Sequence, residues 1–224
     1  MAITLKKGLI MKYIIPARKG SKGLKNKNRL LFDYTAKIIP TEISNDVFVS
    51  TDDEWIIRKS HEYNFNCLIR NSELAQDDAS IKHVLLELIK NYKINDDITM
   101  LYLTYPKRTW EDIESFKKFY INNGKNPTIC KKKIKIHPYL CYYNIGENKG
   151  KKIVSHNLYR RQDYPECFQI CHFLFSCKSD MLHNLDLNLF SPETNFYEIC
   201  EEKSLDIDTI HDYTKFLEEI NEKS

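Results

Sequence analysis

The sequence predicts an α/β fold, a mainly parallel sheet flanked by helices, and three observations carry that expectation. Short apolar runs alternate with helical patterns through the first half of the chain. The runs are continuous rather than strictly alternating, which suits a sheet covered on both faces. Charged or polar segments follow those runs, at the carboxyl ends of strands where such sheets hold their ligands.

In chain order, KYIIP (12–16) reads as the first strand, and a helical pattern around 33–39 leads to the strand DVFVST (46–51). A helix at 53–63, the strand FNCLI (65–69) and a helix at 80–92 come next. In the last of these Ile81, Val84, Leu85, Leu88 and Ile89 recur at the i, i+3, i+4 spacing of one buried face. The strand ITMLYL (98–103) and a helix at 110–122 complete the alternation. Residues 128–177 differ: short strands, His-Pro-Tyr at 137–139, a Gly/Asn/Lys loop at 144–152 and FQICHFLFSC at 168–177 read as a β-rich excursion from the main sheet. The acidic SLDIDT (204–209) and a closing helix at 210–221 follow. With no internal repeat or linker in view, residues 11–224 are expected to form one domain, and residues 1–10 a loose extension ahead of it.

Composition narrows the function. Hydrophobic residues are 42% of 224, enough for a core, and the formal charge of +3 is small, with lysine spread along the chain. Bulk nucleic-acid binding is therefore not indicated. Neither a membrane span nor a signal peptide is expected, because no apolar run approaches the required length. The seven scattered cysteines suit free thiols in a reducing cytosol. A zinc site at Cys167, Cys171, His172 and Cys177 would lack a Cys-x-x-Cys pair. The run CKKKIKIHPY (130–139) reads as an exposed strand edge guarded by lysine rather than a nucleic-acid face. His137, before a proline, reads as structural rather than as a general base.

Two segments bear chemistry. After the first strand comes ARKGSKGLKNKN (17–28), whose Gly20 and Gly23 permit a tight turn with backbone N–H groups close to an anion. Arg18 offers a fork for phosphate oxygens and Lys22 a compact charge. The Walker A spacing is absent, so a solvated turn and a polyphosphate cradle both stand as readings. Near the other end, Asp206 and Asp208 would point the same way on an extended segment. Such a pair suits Mg²⁺ together with substrate phosphates; the competing reading is an acidic loop in which Asp208 or Thr209 caps the closing helix.

Taken together, IPARKGSKGLKNKN (15–28), VSTDD (49–53), IRNSELAQDDAS (69–80), LTYPKRTWEDI (103–113), HP (137–138), RRQDYPECF (160–168) and LDIDT (205–209) resemble, in order, the motifs of the acylneuraminate cytidylyltransferase family, the CMP-sialic acid synthetases and their relatives. The resemblance implies a Rossmann-like nucleotidyltransferase in the cytosol that couples CTP to a hydroxyl of a sialic-, legionaminic- or pseudaminic-type keto-sugar acid, releasing pyrophosphate. It implies that Arg18, Ser21, Lys22, Lys27 and Asn28 hold the triphosphate and ribose, and that Arg70, Ala79 and Ser80 line the cytosine pocket. It makes Asp206 and Asp208 the Mg²⁺ ligands; with Arg18 and Lys22 they form the catalytic set. Tyr102 and Arg108 would lie on the acceptor side. The excursion at 128–177 would be a homodimerisation arm lending Arg160, Arg161 and Gln162 to the neighbouring acceptor pocket.

The chain departs from that pattern on the acceptor side. Tyr102, Leu103 and Tyr105 replace the usual Gln-Pro and the serine of Thr-Ser-Pro, and QICHFLF (169–175) replaces an Asn-Gly-Ala-Ile-Tyr-like strand. Lys25 stands for a proline, and the stretch after Asn28 is short. A smaller acceptor such as a phosphate or phosphonate, and a non-catalytic CTP-binding homologue, therefore remain as alternatives. Outside the family, a glycosyltransferase would usually carry its Asp-x-Asp in mid-chain, and an interaction module would not depend on Lys22 or Asp206.

Overall fold

The computed structural model describes residues 11–76 and 78–222; the extension expected at 1–10 lies outside the described residues. A sheet of seven strands runs β3-β2-β1-β4-β8-β5-β9. Its members are β1 (Met11–Pro16), β2 (Val47–Thr51), β3 (Asn66–Ile69), β4 (Asp97–Met100), β5 (Thr128–Lys133), β8 (Phe168–Lys178) and β9 (Asn195–Glu198). Neighbours are parallel except β8, which is antiparallel to both β4 and β5. The remaining strands, β6 (Tyr142–Asn144) and β7 (Gly150–Lys152), form a separate hairpin.

Pleat alternation divides the core. Tyr13, Ile15, Val47 and Val49 pack with Leu31, Phe32, Ile56, Ile113, Phe116 and Phe216. These come from α1 (Lys27–Ala36), α2 (Glu54–Glu62), α4 (Trp110–Asn122) and α5 (Ile210–Asn221). Ile14, Phe48, Ile98, Met100 and Phe175 point the other way and meet Leu85 and Leu88 of α3 (Ile81–Tyr92). Helices thus cover both faces, which is why the strands read as unbroken apolar runs. Among the described residues no helix is long and apolar enough to cross a membrane.

Three boundaries differ from the sequence reading. Helix α1 begins at Lys27, well before the expected 33, because its first turn is polar and its buried residues start at Leu31. Strand β4 stops at Met100, after which residues 101–109 turn over the sheet end. The excursion is shorter than 128–177: β5 and β8 belong to the main sheet, and only residues 134–167 leave it. Strand β5 is accordingly no lysine-guarded edge but an inner strand between β8 and β9, with Lys131 lying over the Phe168 ring and 3.6 Å from Glu198. His137 is structural, as expected. Its Nδ1 accepts from the Tyr139 N–H at 3.2 Å, its Nε2 lies 2.9 Å from the Pro165 carbonyl oxygen, and its ring packs on Tyr139 and Tyr164.

Candidate active site at the carboxyl end of the sheet

Loops leaving β1, β2, β3 and β4 converge at one end of the sheet, beside the central strand. The loop after β1 is fixed from within. Gly20 has φ +76°, a left-handed conformation that glycine adopts without a Cβ penalty. Asp52, just after β2, accepts the Lys19 N–H at 2.6 Å, and Asn28 donates its side-chain amide to the Arg18 carbonyl at 2.8 Å. Thr51 donates its hydroxyl to the Ala17 carbonyl. The loop is thus an ordered turn pinned at both ends, which weighs against the reading of a merely solvated one.

Beside it lies a cleft of about 210 Å³. Its lining includes Arg18, Ser21, Lys27 and Asn28 from the basic loop and start of α1, together with Arg70, Ala79 and Tyr102. Residues far apart in sequence and expected to share a site therefore share a cleft. Among the described residues that line it are the cations Arg18, Lys27 and Arg70 and no carboxylate. Arg70 is largely buried, with Nε donating to the Ser50 carbonyl at 3.2 Å and to the Ser50 hydroxyl at 3.0 Å. Burial pulls its guanidinium down to about 10, and Arg18 pushes the same way while Asp52 opposes both. Guanidinium groups converging on one cleft repel each other, and an anion between them would relieve that repulsion.

Ser80 is the N-cap of α3, its hydroxyl accepting from the Lys82 N–H at 3.2 Å, with Ala79 immediately before it. Lys22 is exposed on the outer turn of the loop and is not among the residues that line the cleft.

The C-terminal acidic segment closes the site from the α5 side. The Ile207 N–H donates to the Thr104 carbonyl at 2.9 Å, and the Ile207 side chain is wholly buried. This anchors Asp206 and Asp208 on either side of it. Thr209, not Asp208, caps α5, in a capping box with Asp212, so the Asp208 carboxylate is left to pair with Lys27 at 2.6 Å. The basic loop and the acidic segment touch directly: a Cβ on Gly23 would lie 2.3 Å from the Asp208 carbonyl oxygen. Asp206 accepts from the Tyr105 hydroxyl at 2.8 Å and borders a second, larger cavity of about 1100 Å³ between the start of the excursion and α5.

Among the described residues no group of three or more His, Cys, Asp or Glu side chains could hold a metal ion. Two carboxylates with only oxygen donors suit a hard cation, provided that bound phosphates complete its coordination. Asp206 and Asp208 fit Mg²⁺ in that limited sense. The zinc alternative is not assembled, since Cys171 packs in one core cluster and Cys177 in the other.

Arg108 is not where the acceptor expectation placed it. Only 2% exposed, it donates to the carbonyls of Phe173 at 2.7 Å and Tyr102 at 3.0 Å and to the Thr35 hydroxyl at 3.3 Å. Burial lowers its guanidinium to about 10. It holds the 101–109 turn against β8 and α1, and its side chain is closed off from solute. Arg160, Arg161 and Gln162 are exposed on the excursion, Arg160 in a bidentate pair with Asp163, and none lines the cleft of its own chain.

The sequence marked Tyr105 only as a departure from the family pattern and His172 only within 169–175 and an unfavoured zinc set. His172 stands against Tyr102, ring centroids 5.2 Å apart. Burial lowers its imidazole, while Asp206 opposes the shift. The departures of positions 102–105 and 169–175 from the family pattern were the sequence signals for this cluster.

A cytidylyltransferase family model matches residues 13–135. N-acylneuraminate cytidylyltransferase of Streptococcus agalactiae is 29% identical over 211 residues, covering 89% of this chain and 51% of that protein. The chain thus spans about half the length of that relative. Pseudaminic acid cytidylyltransferase of Campylobacter jejuni is 26% identical over 229 residues, covering 94% of this chain and 97% of that one. The structure of CMP:2-keto-3-deoxy-manno-octonic acid synthetase complexed with CTP superposes with a TM-score of 0.67 at 14% identity, over 96% of this chain and 99% of that one. At that identity the last likeness shows a shared fold.

Proposed function

This chain belongs to the cytidylyltransferase family, and on that premise we propose that it transfers the cytidylyl group of CTP to a hydroxyl of an acidic keto-sugar, giving a CMP-sugar and pyrophosphate. The supporting observation is the cleft lined by Arg18, Lys27 and Arg70, where Lys27 meets Asp208 at 2.6 Å and joins the cationic lining to the acidic segment. In the reaction the acceptor oxygen bonds to the α-phosphorus and the α–β bridging P–O bond breaks. Pyrophosphate leaves with that electron pair, and the acceptor's proton passes to solvent.

Catalysis of this kind rests on positioning and charge neutralisation. Arg18, Lys22, Lys27 and the N–H groups of the loop would hold the triphosphate, with Ser21 and Asn28 toward the ribose. Arg70 and the Ala79–Ser80 turn would face the cytosine; because Ser80 already accepts an N–H, its hydroxyl proton remains for a base acceptor. Asp206 and Asp208 would hold Mg²⁺, which when bound neutralises phosphate charge and activates a nearby hydroxyl. Lys27 would then exchange its partner Asp208 for phosphate. Tyr102, with His172 beside it, would meet the acceptor. The reading predicts saturable CTP binding by calorimetry with UTP and ATP as weaker competitors; equal binding of all three would remove the cytosine assignment.

We place homodimerisation on the excursion, whose exposed Tyr142, Ile145 and Tyr159 would be covered by a second copy. That contact would bring Arg160, Arg161 and Gln162 to the neighbour's acceptor. A molar mass of one chain by light scattering would contradict it.

A further inference from the structure

Tyr105 is the residue nearest the acidic pair that the reading above leaves without a role. It is 2% exposed and follows directly on Thr104, whose carbonyl anchors Ile207. Its ring meets Phe173 edge-on with centroids 5.7 Å apart, so it is held from the core side. Its hydroxyl donates to one carboxylate oxygen, Oδ2, of Asp206. Tyr105 therefore links the buried face of β8, through Phe173, to Asp206 at the mouth of the larger cavity.

We propose that Tyr105 is a positioning residue that fixes the orientation of the Asp206 carboxylate, occupying Oδ2 and leaving Oδ1 for a divalent cation. Three features carry this. Asp206 is partly exposed and extended, so without a tether its carboxylate would rotate freely. The tether comes from a residue immobilised by packing, the arrangement by which outer partners orient metal-binding carboxylates. Asp208 has no equivalent tyrosine and pairs instead with the longer, more flexible Lys27. The pair is thus asymmetric: Asp206 is set in advance, and Asp208 is released from Lys27 as the cation arrives.

The inference rests on Asp206 binding a divalent cation with CTP, so its test is read on binding as well as on turnover. Mn²⁺ titration of the full chain by electron paramagnetic resonance, with and without CTP, measures that affinity directly. Tyr105→Phe keeps the ring and its packing on Phe173 and removes only the donor. The expected result is a 10–100-fold weaker Mn²⁺ affinity in the presence of CTP, the usual cost of losing an outer partner of a ligand. CTP affinity measured in EDTA should be unchanged, as should the melting temperature within a few degrees. The Mg²⁺ concentration at half-maximal turnover should rise by a similar factor. Unchanged Mn²⁺ affinity in Tyr105→Phe would overturn the proposal. Loss of CTP binding in EDTA would overturn it too, since the residue would then be supporting the fold. If the parent chain bound no Mn²⁺ with CTP, the metal assignment of Asp206 would fail, and this inference with it.

Discussion

The Asp208→Asn variant is expected to keep its fold and lose its turnover. Its carboxylate is 65% exposed and meets Lys27 at the surface of the site, so the ion pair contributes at most ~1 kcal/mol to stability. Thr209 and Asp212, not Asp208, hold the start of α5. The melting temperature should therefore move by no more than a few degrees. Pyrophosphate release should fall by about 10²–10³-fold, the typical loss when one preorganised charge is removed from a group-transfer site. Asparagine retains shape and an oxygen but not the charge that opposes phosphate repulsion through the cation. A variant with a large stability loss and a small activity loss would mean that Asp208 is a structural partner of Lys27 and nothing more.

The second large effect is expected at Gly23→Ala, for the opposite reason. A Cβ there would stand 2.3 Å from the Asp208 carbonyl oxygen, a backbone atom that cannot rotate aside. Either the basic loop or the 206–208 segment must move. Overpacking of this kind costs about 1–3 kcal/mol, and displacement of reacting groups by about 1 Å costs on the order of 10²-fold in rate. Differential scanning calorimetry should show a melting temperature lowered by roughly 2–12 °C, with both CTP affinity and turnover reduced. Near-normal values for all three would show that the two segments do not need their close approach.

The strand–helix alternation was legible because the runs of β1, β2 and β4 are buried on both faces, so their composition marks them. The convergence of Arg18, Lys27, Asn28 and Arg70 was legible through the family resemblance, and the parallel sheet, which delivers the loops after its strands to one end, is its physical reason. What stayed hidden depends on long-range packing. Nothing local distinguishes an arginine that binds a solute from Arg108, which is buried against main-chain carbonyls brought in by β8, 65 residues away. Nor does any local pattern reveal that Tyr105 reaches Asp206, 101 residues later. The start of α1 was missed because its first turn is made of polar residues that read as loop. Strand β5 looked like a guarded edge because it ends in three consecutive lysines, yet β9 pairs with it from late in the chain.

Pyrophosphate release from CTP and Mg²⁺, measured across an acceptor panel, tests the central claim most directly. The panel holds sialic, legionaminic and pseudaminic acids, a shorter keto-sugar acid, and small phosphates and phosphonates. The account predicts release that requires both CTP and a keto-sugar acid, and that disappears in Asp208→Asn. Release with a phosphate or phosphonate alone would contradict the acceptor assignment while keeping the chemistry. No release with any acceptor, together with no measurable binding of CTP, would contradict the reading of the basic loop itself.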